Sequence, residues 1–181
     1  MTQMTRPGFR LLTAVLAAVV IGILAASLAF AGRSDLASVR AATARFHSLA
    51  QAEAAGYGQP PSPAPLHSCI SDLMGMGAMG FHYINGALLS GDEAGVVDPN
   101  RPEVLVYAPD SHGTLHLVAL EYVIFQSDWA GGGTPSLFGE EFNTTPSPNR
   151  YEIPAFYSLH VWLYKDNPDG MFAPMNPNVS C

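Results

Sequence analysis

The sequence predicts an α+β domain, in which an N-terminal helix packs on a small, mainly antiparallel β-sheet with long loops rich in proline and glycine. Three observations lead to this fold class. One early segment has apolar residues at helical spacing, several later runs are β-branched and aromatic, and proline and glycine separate nearly all of these runs. The same strands are compatible with an open sheet or with a barrel-like one.

The predicted helix comes first, over residues 34–56. Ser34 and Asp35 suit an N-cap and a first turn, and Gly56 suits the C-terminal end. Between them, six side chains recur at the spacing of one helical face: Leu36, Val39, Thr43, Phe46, Leu49 and Ala50. The string QPPSPAPL at 59–66 cannot continue a helix or pair within a sheet, because proline lacks the amide hydrogen. We therefore expect one helix of about twenty residues, followed by an extended connection.

Four apolar runs predict strands. FHYIN at 81–85 follows the glycine-rich stretch CISDLMGMGAMG, which suits a backbone that packs closely against another segment. EVLVYA at 103–108 and TLHLVALEYVIF at 114–125 bracket the turn PDSHG, so they predict an antiparallel hairpin. FYSLHVWLYK at 156–165 predicts the last strand, which ends at DNPDG.

The N-terminal segment has the features of an export signal. Arg6 and Arg10 precede a long apolar run, and the string Ala-Phe-Ala at 29–31 supplies the small residues of a cleavage site. We expect residues 1–31 to be a signal peptide and 32–181 to be a single exported domain that is secreted, periplasmic or part of the cell envelope. The apolar run approaches the ~20 residues that span a bilayer, so an uncleaved membrane anchor is the alternative. It is the one membrane contact that the sequence predicts.

The charge of the expected mature domain argues against nucleic acid as a partner. Without Arg6 and Arg10, six of the eight basic residues remain beside fifteen acidic ones, which gives a net charge of −9 with neutral histidine. Binding a phosphate backbone requires clustered lysine and arginine, whereas these six residues are scattered along the chain. About 150 residues are enough for one hydrophobic core. We therefore expect one core and no nucleic-acid partner.

Cys69 and Cys181 are the two cysteines of the chain. In an oxidising compartment an even number of cysteines suggests a disulfide, which here would close most of the mature domain into one loop. The alternative is a pair of thiolate metal ligands. We favour the disulfide, because a terminal cysteine after an irregular tail is a poor part of a preorganised metal site.

Three strand-like runs each contain one residue that can bind a metal: His82, Glu121 and His160. Two imidazoles and a carboxylate are a minimal ligand set for a divalent cation. By strand parity, Glu121 shares its face with an apolar set: Leu115, Leu117, Ala119, Val123 and Phe125. An unpaired carboxylate is costly there, so we predict a metal site, with His116 on the opposite face as a weaker candidate. The alternatives are a structural ion pair or hydrogen bond of Glu121 with an arginine or tyrosine, and histidines that are buried without binding a metal.

Zinc is the metal that this ligand set favours outside the cytoplasm, where ferrous iron is hard to keep reduced. Copper is the less favoured alternative, because thioethers prefer Cu(I) and five methionines lie in two loops: Met74, Met76, Met79, Met171 and Met175. Methionine also fills irregular gaps without any metal, and we take that as its default role. An open coordination position could activate water, but the sequence does not decide whether the protein is an enzyme.

Two other kinds of protein compete with the metal-binding one. In a metal-free binding module, Tyr83, Trp162 and Tyr164 would line a pocket for a small apolar or sugar-like ligand. In a structural or interaction domain of the cell envelope, the polar residues would have no ligand. The chain contains neither a nucleophile elbow nor a phosphate-binding loop, so serine hydrolysis and nucleotide binding are not predicted.

Several long motifs resemble those of a family of exported, uncharacterised bacterial proteins. They are GAMGFHYIN, DPNRPEVLVYAPD, LVALEYVIF and YSLHVWLYKDNPDGMFAPMNPNVSC, and the similarity extends from the ATARFHSLAQAEAAGY helix to Cys181. The resemblance implies export. It implies no activity, so His82, Glu121 and His160 are candidates on chemical grounds alone.

Overall fold

The fold was described from a computed structural model, for residues 35–60, 66 and 68–181. The predicted signal peptide and its cleavage site therefore lie outside the described residues. All strands among these residues pair antiparallel, and a few short helices accompany them, so the α+β class is confirmed. The sheet is not closed into a barrel, which corrects the barrel-like alternative. None of the described helices is both long and apolar enough to cross a membrane.

In the described part of the chain, seven strands form the main sheet: β1 (Tyr57–Gly58), β2 (Ile70–Ser71), β3 (Ala78–Asn85), β4 (Val104–Pro109), β5 (Leu115–Phe125), β8 (Asn143–Thr145) and β9 (Phe156–Val161). Their order is β1-β3-β4-β5-β9-β8, and β2 also pairs with β3. A separate two-stranded sheet joins β6 (Ser136–Leu137) and β7 (Glu140–Glu141). The predicted hairpin is confirmed as β4 and β5, which are neighbours at the centre of the main sheet.

The predicted single helix is interrupted. Residues 35–43 form α1, a 3₁₀ turn follows at Ala44–His47, and α2 runs over Leu49–Ala54. Ser48 between them has an extended backbone, so the helix cannot continue through it. The break leaves the carbonyl of Phe46 free of the helix, where it accepts a hydrogen bond from the Tyr107 hydroxyl at 2.6 Å. A hydrogen bond to the sheet therefore replaces one turn of helix. The helical spacing of the apolar residues could not indicate this break.

A third short helix, α3 (Gly86–Ser90), follows β3 directly. The Asn85 side chain accepts hydrogen bonds from the amides of Ala87 and Leu88, so it caps this helix. Its amide nitrogen also donates to the Ala55 carbonyl at 3.1 Å. Asn85 thereby joins the end of β3 to α3 and to the C-terminal end of α2.

A β-bulge in the central hairpin changes which side chains share a face. Val106 pairs with Ala119 but Tyr107 pairs with Leu117, so Val118 is an extra residue in β5. As a result Leu117 packs on the opposite face of the sheet from Glu121, and so does Leu115, contrary to the parity prediction. Parity holds only from Ala119 onward.

The two faces of the sheet have different surroundings. The helix side packs against α1, the 3₁₀ turn and α2, and its buried residues include Val39, Phe46, Leu105, Leu120 and Leu159. The opposite face, here called the cavity side, contains a second set that includes Val104, Ala119, Val123 and Trp162. The cover of the cavity side contains Leu66, Tyr151, Ile153 and Met175 from irregular segments, together with Ile70 of β2 and Met79 of β3.

The glycine-rich stretch packs closely against two backbones, as predicted. A β-carbon on Gly77 would lie 2.2 Å from the Asn176 carbonyl oxygen, and one on Gly80 would lie 2.5 Å from that of Tyr107. Both glycines also have positive φ angles. The first contact joins β3 to the C-terminal tail, where Ala78 and Asn176 exchange two backbone hydrogen bonds.

The disulfide between Cys69 and Cys181 is formed, as predicted, across a sequence separation of 112. It joins the end of the C-terminal tail to the segment just before β2. The described chain has no free cysteine, so thiolate metal ligation is not an option for this pair. A disulfide suggests an oxidising, extracytoplasmic environment.

Glu103, which precedes β4, is a second buried carboxyl that the sequence analysis did not single out. It is 5% exposed, and its Oε2 accepts a hydrogen bond from the Val123 amide at 3.0 Å. Burial raises its pKa to about 7, although the hydrogen bond from Val123 acts in the opposite direction. The proton is therefore bound more tightly in the folded chain than in the unfolded one.

We expect this group to make stability depend on pH. Protonated Glu103 favours the folded state fully below its ordinary pKa of 4.5, and this contribution is lost as pH rises through about 7. The difference between these pKa values corresponds to about 3 kcal/mol. In Glu103→Gln the amide oxygen can still accept a hydrogen bond from the Val123 amide, but the side chain no longer titrates. The free energy of unfolding in urea should therefore fall less between pH 5 and 8 than it does for the parent chain. An unchanged pH profile in this variant would contradict the assignment.

Candidate metal centre

The register of the sheet brings the three predicted metal ligands to one face. Glu121 in β5 lies directly opposite His160 in β9. His82 in β3 pairs with Val106 of β4, which in turn pairs with Ala119, two residues before Glu121. Since alternate residues of a strand share a face, all three side chains lie on the cavity side. All are buried, with exposed fractions of 4%, 7% and 2% for His82, Glu121 and His160.

Glu121 lies between the two imidazoles. Its Oε2 is 3.2 Å from Nε2 of His82, and its Oε1 is 3.6 Å from Nδ1 of His160. One ligand atom from each of the three residues lies within 4.8 Å of the other two. Two atoms that bind one zinc ion tetrahedrally at 2.0–2.2 Å lie about 3.3–3.6 Å apart. The two distances from Glu121 to the histidines are close to this range, so the cluster could hold a metal ion.

The orientation of His82 leaves one ring nitrogen available for a metal. Its Nδ1 lies 3.2 Å from the Gly80 carbonyl oxygen, which can only accept a hydrogen bond. Nδ1 must therefore carry the proton, and in the neutral ring Nε2 presents a lone pair to the Glu121 carboxylate. Two electron-rich atoms at 3.2 Å need a cation between them, either a proton or a metal ion. Metal-bound histidines usually donate their other N–H to a carbonyl or carboxylate, which is the role of Gly80 here.

His160 has buried polar atoms without hydrogen-bond partners. Among the described residues, neither its Nδ1 nor its Nε2 has one. The distance of 3.6 Å from Nδ1 to Glu121 is within the range of an ion pair but is too long for a good hydrogen bond. The Trp162 ring packs beside the imidazole with a centroid distance of 5.1 Å, and it offers no hydrogen-bond acceptor. A buried group of this kind costs about 1–3 kcal/mol unless a ligand satisfies it.

Glu121 is ionised in this setting. Burial acts to raise its pKa, but contact with His160 and His82, and their positive charge when protonated, outweigh burial and hold the pKa well below its usual range. Among the described residues no lysine or arginine forms an ion pair with this carboxylate, so the two histidines are its partners. The predicted alternative of a structural bond to an arginine or tyrosine is not what the structure contains.

The cluster lies in a cavity of about 550 Å³. Most of the other side chains that line it are apolar and come from the sheet and from the irregular cover, including Ile84, Val123, Phe156, Leu66, Ile153 and Met175. A few neutral polar side chains complete the lining: Ser90, Asn143, Thr145 and Ser158. A metal ion held by three protein ligands would therefore have room beside it for a further ligand.

The aromatic residues predicted for a ligand pocket are not brought together. Tyr83 packs on the helix side against the Tyr107 ring, at 4.9 Å between centroids. Tyr164 contacts the His47 ring and donates a hydrogen bond to the Arg40 carbonyl, so it also lies with the helices. Trp162 is buried beside His160, but its Nε1 donates to the Ala173 carbonyl and its side chain does not line the cavity.

Tyr83 lies on the face of β3 opposite to His82, whereas Tyr164 leaves the cavity side because the last strand ends early. β9 ends at Val161, four residues before the predicted boundary. After Val161 the backbone amide of Trp162 donates a hydrogen bond to the Met171 carbonyl, and that of Tyr164 donates to the Val118 carbonyl. The chain therefore leaves the regular alternation of the strand. Strand parity cannot be extended past a point where the ladder ends.

The methionines divide into two groups. Met74, Met76 and Met171 are 84%, 57% and 38% exposed, so they lie away from the buried cluster. Met79 and Met175 line the cavity. The described structure therefore does not gather all five thioethers, but two of them line the same cavity as the histidines.

Comparison of the chain with known protein families, with curated proteins and with solved structures gives no match. The resemblance to exported bacterial proteins accordingly stays a prediction.

Proposed function

We propose that this chain is an extracytoplasmic zinc-binding protein whose ligands are His82 Nε2, the Glu121 carboxylate and His160. The observation that carries the proposal is the position of one ligand atom from each of these buried residues within 4.8 Å of the others, in the wall of a cavity. Two histidines and one glutamate are a known ligand set of zinc sites that keep an open position for water or substrate.

The positions of the protons that the cluster requires favour a metal-bound cluster over a metal-free one. Without a metal, Glu121 needs a protonated Nε2 on His82, which makes this ring a buried cation, and His160 still has two unpartnered nitrogens. A divalent cation would satisfy the carboxylate, the Nε2 lone pair and one nitrogen of His160 at once. Buried polar groups are rarely left unpaired, so the cluster is better explained with a metal than without one.

Zinc is preferred to the other metals by its ligands and its compartment. Imidazole and carboxylate suit zinc, whereas Mg²⁺ and Ca²⁺ prefer oxygen ligands. The disulfide is consistent with an oxidising compartment, where ferrous iron is hard to keep reduced. Copper is the alternative that Met79 and Met175 keep open, because both line the same cavity.

Metal analysis tests this proposal directly. The protein, purified after expression in an oxidising compartment and without a metal-binding tag, should contain about one zinc ion per chain. A strong chelator should remove the ion, and readdition of zinc should restore it. If the purified protein holds no metal and calorimetric titration with Zn²⁺ gives no heat of binding, the proposal is wrong. Stoichiometric copper would instead assign the site to the alternative metal.

A metal-free binding module is the second candidate, and the apolar cavity favours it. A volume of about 550 Å³ falls within the range of small-molecule pockets, and it does not depend on a metal. In that case the cluster would be a charged hydrogen-bonding group at one end of the pocket. Absence of any bound metal, together with binding of a small apolar compound, would support this candidate.

A further inference from the structure

The charged groups that line the cavity are gathered in one part of its wall. Among the described residues that line it, the ionisable acids and bases are Glu121, His82, His160 and the phenol of Tyr151. No described lysine, arginine or aspartate lines the cavity. The remaining surface is formed mainly by aliphatic and aromatic side chains, on which a second charged group of a ligand would lose its hydration without gaining a partner.

A bound zinc ion would give this part of the cavity a net positive charge. Without a metal, the Glu121 carboxylate and a protonated His82 together carry no net charge. A divalent cation with one carboxylate and two neutral imidazoles carries a net charge of +1. The surroundings are apolar, so this charge acts with little screening. The metal-loaded cavity therefore matches a molecule that has one negative group and an otherwise apolar body.

We propose that the cavity binds a small monocarboxylate with a predominantly apolar body, with the carboxylate at the metal and the body against the apolar walls. This inference rests on the proposed zinc site. The walls nearest the cluster are formed by Ile84, two residues after His82 in β3, and by Val123, two residues after Glu121 in β5. Ser158, two residues before His160 in β9, provides a hydroxyl in the same part of the cavity wall.

Three probe molecules separate the parts of this proposal. Octanoate has one carboxylate and an apolar chain, octanol has the same chain without charge, and suberate has a carboxylate at each end. Calorimetry should show that zinc-loaded protein binds octanoate at least about tenfold more tightly than metal-free protein does, because removal of the metal takes away the net positive charge that attracts the carboxylate. Octanol should show no such dependence on zinc. Suberate should bind more weakly than octanoate, since its second charge would lie against apolar walls.

An Ile84→Trp variant tests the location of the ligand. The larger ring would fill the cavity beside His82, so octanoate affinity should fall at least about tenfold while zinc stays stoichiometric. Ile84→Val, which keeps a small apolar side chain, is the matched control and should bind octanoate as the parent does. Retention of octanoate binding in a folded, zinc-loaded Ile84→Trp protein would overturn the proposed location.

The outcomes distinguish this inference from the zinc proposal. If the protein binds no zinc in the titration described above, the proposed function itself fails. If zinc binds stoichiometrically but octanoate binds equally well to both forms, or to neither, then only the ligand class is wrong. Equal binding of suberate and octanoate would likewise overturn the claim of a single charged group.

Discussion

A His160→Ala variant is expected to lose stoichiometric zinc, with an affinity at least about 100-fold below that of the parent chain. The reason is geometric, because His160 supplies one of three protein ligand atoms and no other described residue belongs to the cluster. Loss of a group that merely orients a ligand already costs roughly 10–100-fold in metal affinity. Zinc titration followed by calorimetry measures this change.

The same variant should lose the stability that zinc confers. At a free zinc concentration of 100 times the dissociation constant, the parent should gain about 2.7 kcal/mol in its free energy of unfolding. The gain in His160→Ala should be close to zero under the same conditions. Comparing each protein with and without zinc removes the separate cost of the cavity that the smaller side chain leaves.

Two histidines outside the cluster provide matched controls. His47 packs against the Tyr164 ring on the helix side, and His116 is exposed and paired with Asp110 at 3.0 Å. His47→Ala and His116→Ala should both keep one zinc ion per chain. Glu121→Gln, which preserves shape and removes the charge, should behave like His160→Ala. Full zinc binding by a folded His160→Ala protein would show that this cluster is not the site.

Removal of the disulfide should produce the largest change in stability. The bond between Cys69 and Cys181 closes a loop of more than a hundred residues. The chain-entropy model assigns such a loop a stabilisation of about 4–5 kcal/mol, because the bond restricts the unfolded chain. The double variant Cys69→Ser with Cys181→Ser should therefore unfold at a markedly lower urea concentration than the oxidised parent.

The reduced parent chain is the control for the serine substitutions. With a reductant present, the parent and the double variant should have the same unfolding midpoint. Alkylation of the native, unreduced protein should label neither cysteine. Free reaction of both cysteines in air-exposed native protein would contradict the bond, and equal stability of oxidised parent and variant would contradict its predicted effect.

The ligand residues could be predicted because each is a polar exception within an apolar strand. Glu121 and His160 lie where β5 and β9 pair residue by residue, and pairing of central strands follows from their apolar pattern. The run FHYIN also predicted the strand that contains His82. Sequence alone could not indicate that β4 lies between β3 and β5. In so small a sheet, however, few strand orders would keep His82, Glu121 and His160 far apart.

The cavity walls could not be predicted in the same way. Leu66, Tyr151, Ile153 and Met175 lie in irregular segments, where no period relates a residue to a face. The bulge at Val118 was also invisible, because an extra residue in an apolar run leaves the composition unchanged. Both failures concern positions where backbone geometry, and not side-chain type, decides which residues meet.

Gly80 offers a way to recognise relatives of this chain. Its carbonyl fixes the proton on Nδ1 of His82, and its backbone has a φ of +116° beside the Tyr107 carbonyl, so no other residue fits there without strain. A chain that kept the histidine but replaced this glycine would have to reorient the ring. The pattern to seek in other genomes is therefore Gly-x-His in one strand, with a lone glutamate and a second histidine in two later apolar strands.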